Sequence, residues 1–170
     1  VSKSLADEIL KNIKNNNVYD NYHIKINNYI GNKLVKYGWG SSFGRNGVTC
    51  LYKKETKIWG KQRVHPKLTF KGKFGPDLIN PLEHYFVENI SELIEKFNTW
   101  TFYKSLDLLE NNKKETLVKN VRRVFSRFLK NYLKRKGYKE GKIGFLISLL
   151  AGLFPLVSYL RSEIKKQSFE

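Results

Sequence analysis

The feature that most constrains the fold is a run of eighteen residues without a charge, from Ile143 to Leu160. A helix that crosses a bilayer needs about 20 mainly apolar residues, so this run is at the lower limit for a span. A buried core helix or a helix lying in a membrane interface has the same pattern. We expect an interfacial or re-entrant helix rather than a spanning one, and we expect Pro155 to break it.

The segment before this run is strongly basic. Between Lys113 and Lys142 the chain has twelve Lys and Arg residues, opposed by Glu115 and Glu140. Apolar residues recur there at helical spacing, which predicts a basic amphipathic helix with Gly137 as the C′ residue after its end. The apolar stripe consists of Leu117, Val121, Phe125, Phe128 and Tyr132.

The whole chain has 32 Lys and Arg against 15 Asp and Glu, a formal charge of +17. Such a chain attracts anions, which include nucleic acid, anionic lipid and phosphate-bearing ligands. The basic helix could lie on nucleic acid, lie on an anionic bilayer with its apolar face inward, or pack on its own domain. The uncharged run that follows favours the bilayer, because nucleic-acid binding has no use for it. We therefore predict no nucleic-acid partner and a membrane contact made by Arg122, Arg123, Arg127, Lys130 and Lys134.

Composition excludes several other classes. With 41% hydrophobic residues in 170, the chain is not disordered throughout and can bury a core. A single cysteine, Cys50, excludes an intrachain disulfide and a cysteine-based zinc cluster. The chain has no methionine and begins at Val1 without a signal peptide. We therefore expect it to be the C-terminal part of a longer protein.

The first two thirds of the chain read as short helices and strands. Apolar spacing predicts a helix from Ser4 to Ile13, and alternation predicts a strand from Tyr22. Further predictions are a turn at Gly31-Asn32, a returning strand at Leu34-Val35, a glycine-rich loop over 38–47, a hairpin of Val48–Lys53 and Thr56–Trp59, a strand over Val64–Phe70, a loop over Lys71–Pro81 and a helix from Ile90.

Three histidines are the candidates for chemistry. His23 lies on the polar face of a predicted strand and is best interpreted as a surface residue. His65 and His84 lie at the ends of predicted elements, where ligands and catalytic groups concentrate. Either of these two is also compatible with a structural role, because no metalloprotease spacing, nucleophile elbow, phosphate-binding loop or dinucleotide fingerprint accompanies them.

Several motifs resemble the C-terminal part of a family-2 glycosyltransferase with a GT-A fold, and in particular the bacterial enzymes that build lipopolysaccharide core and related surface glycans. The stretches that carry the resemblance are Ser2–Ile9, which is similar to the segment after the Asp-x-Asp motif, Tyr22–Gly31 with Gly38-Trp39, Leu51–Lys54 with Arg63-Val64-His65, His84-Tyr85 with Lys96 and Trp100, and Phe128–Gly144. Together they cover nearly the whole chain.

The resemblance implies an α/β fold in two parts. Residues 1–111 are expected to form the acceptor-side half of a partial GT-A-like domain with short strands and helices. Residues 112–170 are expected to form a basic amphipathic, membrane-associating helical tail. The parent enzyme would transfer a sugar from a nucleotide-diphosphate sugar to a cell-surface glycan or lipid-linked acceptor. It would work at the cytoplasmic face of the bacterial inner membrane, as a peripheral or monotopic protein.

The resemblance also implies site residues. The cofactor is a divalent metal, Mg²⁺ or Mn²⁺, with its main carboxylate ligands upstream of Val1, so the 170-residue chain alone is expected to be inactive. Candidate roles are metal or diphosphate ligation by His65 and His84, base catalysis by Asp77 or Glu83, and substrate contacts by Trp39, Arg45 and Arg63. Trp39 is equally compatible with a core aromatic, and the two arginines with solvated charges.

Two positions depart from the family pattern. Cys50 stands where many relatives have Arg, and Pro66 stands where many have a Glu. If that Glu is the base in relatives, this chain uses another base or another acceptor. Two alternatives therefore stay open, a basic nucleic-acid-binding module and a non-catalytic membrane-associated scaffold.

Overall fold

A computed structural model describes residues 1–15, 18–40, 43–110 and 115–167. The helices and strands, in chain order, are α1 (Lys3–Asn15), β1 (Asn21–Ile30), β2 (Lys33–Val35), β3 (Gly47–Tyr52), β4 (Lys57–Trp59), β5 (Leu68–Phe70), β6 (Leu78–Val87), α2 (Ile90–Glu110), α3 (Leu117–Leu129) and α4 (Gly141–Gln167). A π-helical turn, Lys130–Lys134, and a 3-10 turn, Gly137–Glu140, connect α3 to α4. This mixture of helices and strands confirms the coarse α/β class.

β1 is the central strand of the larger sheet. β2 and β3 both pair with it antiparallel, β2 along Asn28–Ile30 and β3 along Asn21–Lys25. β6 pairs with β1 in parallel from Ile24 to Ile30. Since a strand has only two edges, β2 and β3 share one edge and β6 takes the other. Any side chains at the middle of β6 therefore lie beside the middle of β1.

The predicted hairpin of Val48–Lys53 with Thr56–Trp59 is wrong. β3 pairs with β1, whereas β4 pairs antiparallel with β5, with Ile58 opposite Thr69. The predicted strand over Val64–Phe70 shortens to Leu68–Phe70, because the chain bends between β4 and β5. His65 therefore lies in the segment that connects β4 to β5, the two strands of the smaller sheet.

The predicted loop over Lys71–Pro81 is also only partly right, because β6 begins at Leu78 and runs through Pro81. Proline lacks the N–H that a regular ladder requires, so it is tolerated at irregular positions of a strand. The β1–β6 register shifts between Leu78 and Leu82, and this shift accommodates Pro81. His84 consequently lies inside a strand and not just before a helix.

Two apolar clusters hold the fold together. The smaller contains Leu5 of α1 with Tyr22, Ile24 and Leu78 of the sheet. The larger joins the sheet to α2 and α4, and its buried members are Ile30, Val35, Trp39, Phe43, Val64, Phe86, Val87, Leu93, Ile147, Leu150, Ala151 and Phe154. The predicted domain boundary at 111/112 lies outside the described residues. Residues from both sides of that boundary share this core.

α4 contains the uncharged run and is a helix of the core. It continues through Pro155 without ending, so the expected break at that residue is wrong. Among the described residues, one helical stretch, Gly137–Lys165, is long and apolar enough to cross a membrane, with a mean hydropathy of 2.1. Of the most apolar 18 consecutive residues in this stretch, 50% are buried inside the protein. Its buried face packs in the larger cluster, as a core helix does.

The end of the basic helix differs from the prediction at Gly137. Lys136 adopts the left-handed conformation, with φ of 59°, and Gly137 begins the 3-10 turn. A Cβ on Gly137 would lie 2.9 Å from the carbonyl oxygen of Asn131 and 3.3 Å from Cα of Gly38. Glycine is therefore required there because two backbone segments approach closely.

Candidate active site and membrane surface

His65 and His84 line the same small cavity, of about 210 Å³. Asn28 and Arg45 line it with them, and Phe86 and Trp100 supply part of its apolar wall. The two histidines are nineteen positions apart in the sequence. The β6 strand and the β4–β5 connection bring them together. The structure thus unites three of the residues that the sequence singled out, His65, His84 and Arg45.

Asn28 fixes the chemical state of His84. The side-chain amide of Asn28 donates from Nδ2 to the carbonyl oxygen of Arg45, at 2.9 Å. Its Oδ1 is therefore the acceptor, and it lies 2.9 Å from Nδ1 of His84. Nδ1 carries the proton, which leaves Nε2 of the neutral ring with a free lone pair. Burial of the ring, aided by the charge of Lys96, lowers the pKa of His84 and favours that neutral form.

His65 occupies an unusual backbone conformation. Its φ is 52°, in the left-handed region that residues other than glycine seldom adopt. The imidazole packs against Trp100 at 5.5 Å and Phe154 at 6.1 Å between ring centroids. Strained backbone of this kind concentrates at functional sites, where surrounding packing maintains it. Here the packing comes from α2 and α4.

Trp39 is a core residue and does not lie on a surface that a sugar could reach. Its side chain is 2% exposed, its indole nitrogen donates to the carbonyl oxygen of Val35, and its ring packs edge-on against Phe86. Of the two roles open from the sequence, the core role is the one observed. Its aromatic character alone did not distinguish the two.

Arg63 is joined to α2 and not to the cavity. Its guanidinium forms ion pairs with Glu110 and with Asp107, whose Oδ1 lies 3.4 Å from Nη1. Its backbone N–H also donates to Asp107 at 3.2 Å. Arg63 therefore anchors the β4–β5 connection, and with it His65, onto the C-terminal part of α2.

The two predicted carboxylate bases lie away from the histidine cavity. Adjacent residues on a strand face opposite sides of a sheet, so Glu83 lies on the other side from His84. Glu83 accepts a hydrogen bond from Nδ2 of Asn27 at 2.9 Å. Asp77 lines a separate groove of about 560 Å³ between α1 and β6. No carboxylate is among the described residues that line the histidine cavity, so neither prediction places a base there.

Within the described part of the chain, no group of three or more His, Cys, Asp or Glu residues is close enough to hold a metal ion. His65 and His84 supply two imidazoles, and imidazole suits Mn²⁺ less well than carboxylate does. The two imidazoles of this cavity are thus fewer than the three or four protein ligands of a usual metal site.

Comparison with protein-family models, with curated proteins and with solved structures gave no match. The function of the chain is therefore inferred from its own residues.

α3 exposes apolar residues that the amphipathic helix of a soluble domain would bury. Asn120, and Asn131 in the following turn, are 1% and 0% exposed. In contrast, Leu117, Val121 and Phe125 are 52%, 38% and 65% exposed. A soluble amphipathic helix buries its apolar side, whereas several apolar side chains of α3 are exposed.

The exposed apolar residues form one side of α3, which we call the apolar flank. It consists of Leu117, Val118, Val121, Phe125 and Leu129. Phe128 and Tyr132 of the predicted stripe are half-buried against Phe145 of α4, itself 48% exposed. The five predicted membrane-binding cations divide between two sides of the helix. Arg122 adjoins the apolar flank at helical spacing, whereas Arg123, Arg127 and Lys130 line a cavity on the opposite side. Lys134, the last residue of the π-helical turn, is exposed and lies outside the described lining of that cavity.

Proposed function

We propose that this chain is the acceptor-side, membrane-bound part of a glycosyltransferase that uses nucleotide-diphosphate sugars. The observation that carries the proposal is the convergence of His65 and His84 on one cavity with Arg45. The two histidines come from separate motifs that resemble the family. If both histidines were ordinary surface residues, nothing would require them to line the same cavity.

His84 is the group best suited to accept a proton. In the proposed transfer, the acceptor hydroxyl oxygen bonds to the anomeric carbon while the bond from that carbon to the diphosphate breaks. The hydroxyl proton passes to Nε2 of His84, the ring nitrogen left free by the bond to Asn28. A base whose neutral form is favoured near pH 7 suits this step. Arg45 lines the same cavity, and in this proposal its guanidinium contacts a phosphate oxygen.

The nucleotide and the metal would be held mainly by residues upstream of this chain. A bound divalent cation would supply charge neutralisation for the departing diphosphate. The present residues contribute the acceptor side of the reaction.

The apolar flank of α3 supports a peripheral or monotopic association with an anionic membrane. Apolar side chains that are exposed on a helix and bordered by cations are the features of interfacial helices. Arg122 is exposed and adjoins this flank at helical spacing. Within this proposal, the protein lies at the cytoplasmic face of a bacterial inner membrane, where anionic lipids attract basic segments.

The test uses the full-length parent protein with membranes as the acceptor source. Release of nucleoside diphosphate from a panel of nucleotide sugars, with Mg²⁺ or Mn²⁺ present, reports turnover whichever acceptor in the membranes is used. His84→Ala and His65→Ala are each expected to lower turnover about tenfold or more, which corresponds to about 1.4 kcal/mol of barrier.

His23→Ala is the matched control, because His23 lies on β1 outside the described lining of the cavity and is expected to keep normal turnover. Consumption of no nucleotide sugar by the parent would contradict the proposal. Normal turnover in both cavity variants would assign the two histidines a structural role.

A further inference from the structure

A second and larger cavity, of about 630 Å³, lies between α2, α3, α4 and the connection that carries His65. Four cationic side chains line it: Lys104 from α2, Arg123 and Arg127 from α3, and Lys130 from the π-helical turn. Glu115 is the carboxylate among its described lining residues. The phase of α3 explains the clustering, because positions 123, 127 and 130 fall on one side of a helix.

The one carboxylate of the lining does not balance these cations. Glu115 is already engaged by Arg123, at 2.6 Å, and by Lys119, at 3.6 Å. Lys104 lies 4.0 Å from Asp107, at the limit of an ion pair, and Asp107 is outside the described lining. The wall of the cavity therefore carries a net positive charge.

Arg127 shows the electrostatic consequence. Its side chain is half-buried in the same wall, and both its burial and the charge of Arg123 lower its pKa. Cations brought together in a partly desolvated cavity repel one another. An anion that enters the cavity relieves that repulsion.

The chemistry of the lining selects the kind of anion. Arginine side chains offer forked N–H donors that match phosphate oxygens, and lysines add point charges. Val64, Leu108, Phe154 and Pro155 form apolar parts of the same wall, which suits a ligand that carries more than a phosphate. The cavity is concave and lies on the side of α3 away from the apolar flank, so it is distinct from the surface assigned to the bilayer.

We propose that this cavity binds the phosphate or diphosphate group of a small ligand. The site rests on the proposed function and deepens it, because His65 lines both cavities and the phosphate would lie directly beside the candidate active site. The two sources of such a group are a soluble nucleoside diphosphate and the phosphate of a lipid-linked acceptor. Both present the same chemistry to the four cations.

Binding of inorganic pyrophosphate to the purified chain, followed by isothermal titration calorimetry, tests the proposal. The cavity variant is Lys104→Gln with Lys130→Gln. The matched control is Lys25→Gln with Lys54→Gln, which removes the same charge from exposed lysines outside the described lining of the cavity. We expect saturable binding that weakens about tenfold or more in the cavity variant and changes about twofold or less in the control. Arg127→Gln, with circular dichroism to confirm folding, is the second cavity variant and is expected to weaken binding similarly.

A second arm distinguishes the source of the phosphate. A short-chain phosphatidic acid, used below its micelle concentration, replaces pyrophosphate. Tighter binding of this lipid phosphate, again lost in the cavity variant, assigns the site to a lipid-linked ligand. Binding of pyrophosphate alone assigns it to a soluble diphosphate. The proposal is overturned if neither probe binds saturably, or if both double variants weaken binding equally.

The outcome is independent of transferase activity. Pyrophosphate binding requires neither a sugar donor nor an acceptor. A parent protein that transfers no sugar but whose cavity binds pyrophosphate would therefore contradict the proposed function and leave the phosphate site standing. An active parent whose cavity variants bind the probes normally would remove only the phosphate site.

Discussion

Nδ1 of His84 lies 2.9 Å from Oδ1 of Asn28, on the neighbouring parallel strand and in register with it. The pairing of β1 with β6 therefore determines which ring nitrogen carries the proton. Asn28 and His84 are fifty-six positions apart in the chain, yet their hydrogen bond sets the tautomer of the imidazole.

The pKa of His84 should respond to Lys96. Burial of the imidazole lowers this pKa first, and the charge of Lys96 lowers it further. We expect Lys96→Ala to raise the His84 pKa toward its ordinary value and Lys96→Arg, which keeps the charge, to change it less. The titration of the His84 ring resonances by NMR measures both. An unchanged midpoint in Lys96→Ala would contradict the assigned cause.

The same shift has a consequence for stability. The folded-state pKa of His84 lies below the value of about 6.5 expected in the unfolded chain. As the pH falls through that value, the unfolded chain takes up protons first. The contribution of His84 to the free energy of unfolding therefore decreases toward acid pH. His84→Gln should remove this component from a urea-unfolding series measured across that range.

Phe125→Ser should weaken binding to anionic vesicles. Phe125 is 65% exposed on the apolar flank, and burying a phenylalanine contributes about 1.5 to 3 kcal/mol. We expect about a tenfold or greater loss in a co-sedimentation assay that persists at moderate salt, because an apolar contribution is not screened.

Ile79→Ser is the matched control for this variant, since Ile79 is 82% exposed but lies on β6. It should bind vesicles as the wild type does. A DNA shift assay of the wild type, run beside the vesicle assay, should show DNA binding that is lost between low and moderate salt. Tight DNA binding that survives moderate salt, without vesicle binding, would favour the nucleic-acid module.

Arg63→Met should lower the melting temperature by more than Glu110→Gln does. Asp107 is 3% exposed, and removal of Arg63 takes a cation from a buried carboxylate. Glu110 has a side chain that is 59% exposed, so water replaces its partner at little cost. Thermal melts followed by circular dichroism compare the two. Equal changes would mean that the Asp107 contact does not anchor the β4–β5 connection.

Glu8 should make the protein sensitive to acid. Burial of its carboxylate would raise the pKa, but hydrogen bonds from the backbone N–H groups of Ile79 and Asn80 outweigh it and lower the pKa. A lowered folded-state pKa gives stability that is present above the unfolded value and lost as the pH falls through the folded one.

Glu8→Gln should therefore flatten the fall in unfolding free energy toward low pH, measured by urea titration. Asp7→Asn changes an exposed carboxylate on the same helix and should keep the acid sensitivity of the wild type. A wild-type pH profile in Glu8→Gln would show that the link between α1 and β6 does not depend on this charge.

Local periodicity was sufficient to predict α1, α2 and α3, and it failed where contacts between distant segments decide the structure. α1, α2 and α3 follow from apolar spacing at their own residues. β6 does not, because Pro81 and the nearby glycines indicate a loop, whereas its parallel partner β1 makes it a strand. The stripe on α3 is equally visible in the sequence, but only packing against α4 determines which side of the helix faces out.

The candidate site shows the same division. His65 and His84 could be selected from the sequence as chemically capable residues near element ends. Asn28 could not, because its role depends on the register between β1 and β6 and on a backbone carbonyl at Arg45. Trp39 was ambiguous for the same reason, since an aromatic ring suits a core and a sugar equally well.

The opposed sides of α3 set the distance between the cationic cavity and a bilayer bound by the apolar flank. With the apolar flank on a bilayer, the cationic cavity stands about one helix diameter, roughly 10 Å, above the lipid surface. α3 and α4 are packed closely, since a Cβ on Gly152 of α4 would lie 2.7 Å from the carbonyl oxygen of Val124, so movement of α3 against α4 does not change this height. A lipid-linked phosphate would therefore have to rise about that far out of the headgroup layer to enter the cavity, whereas a soluble diphosphate could enter it from the water.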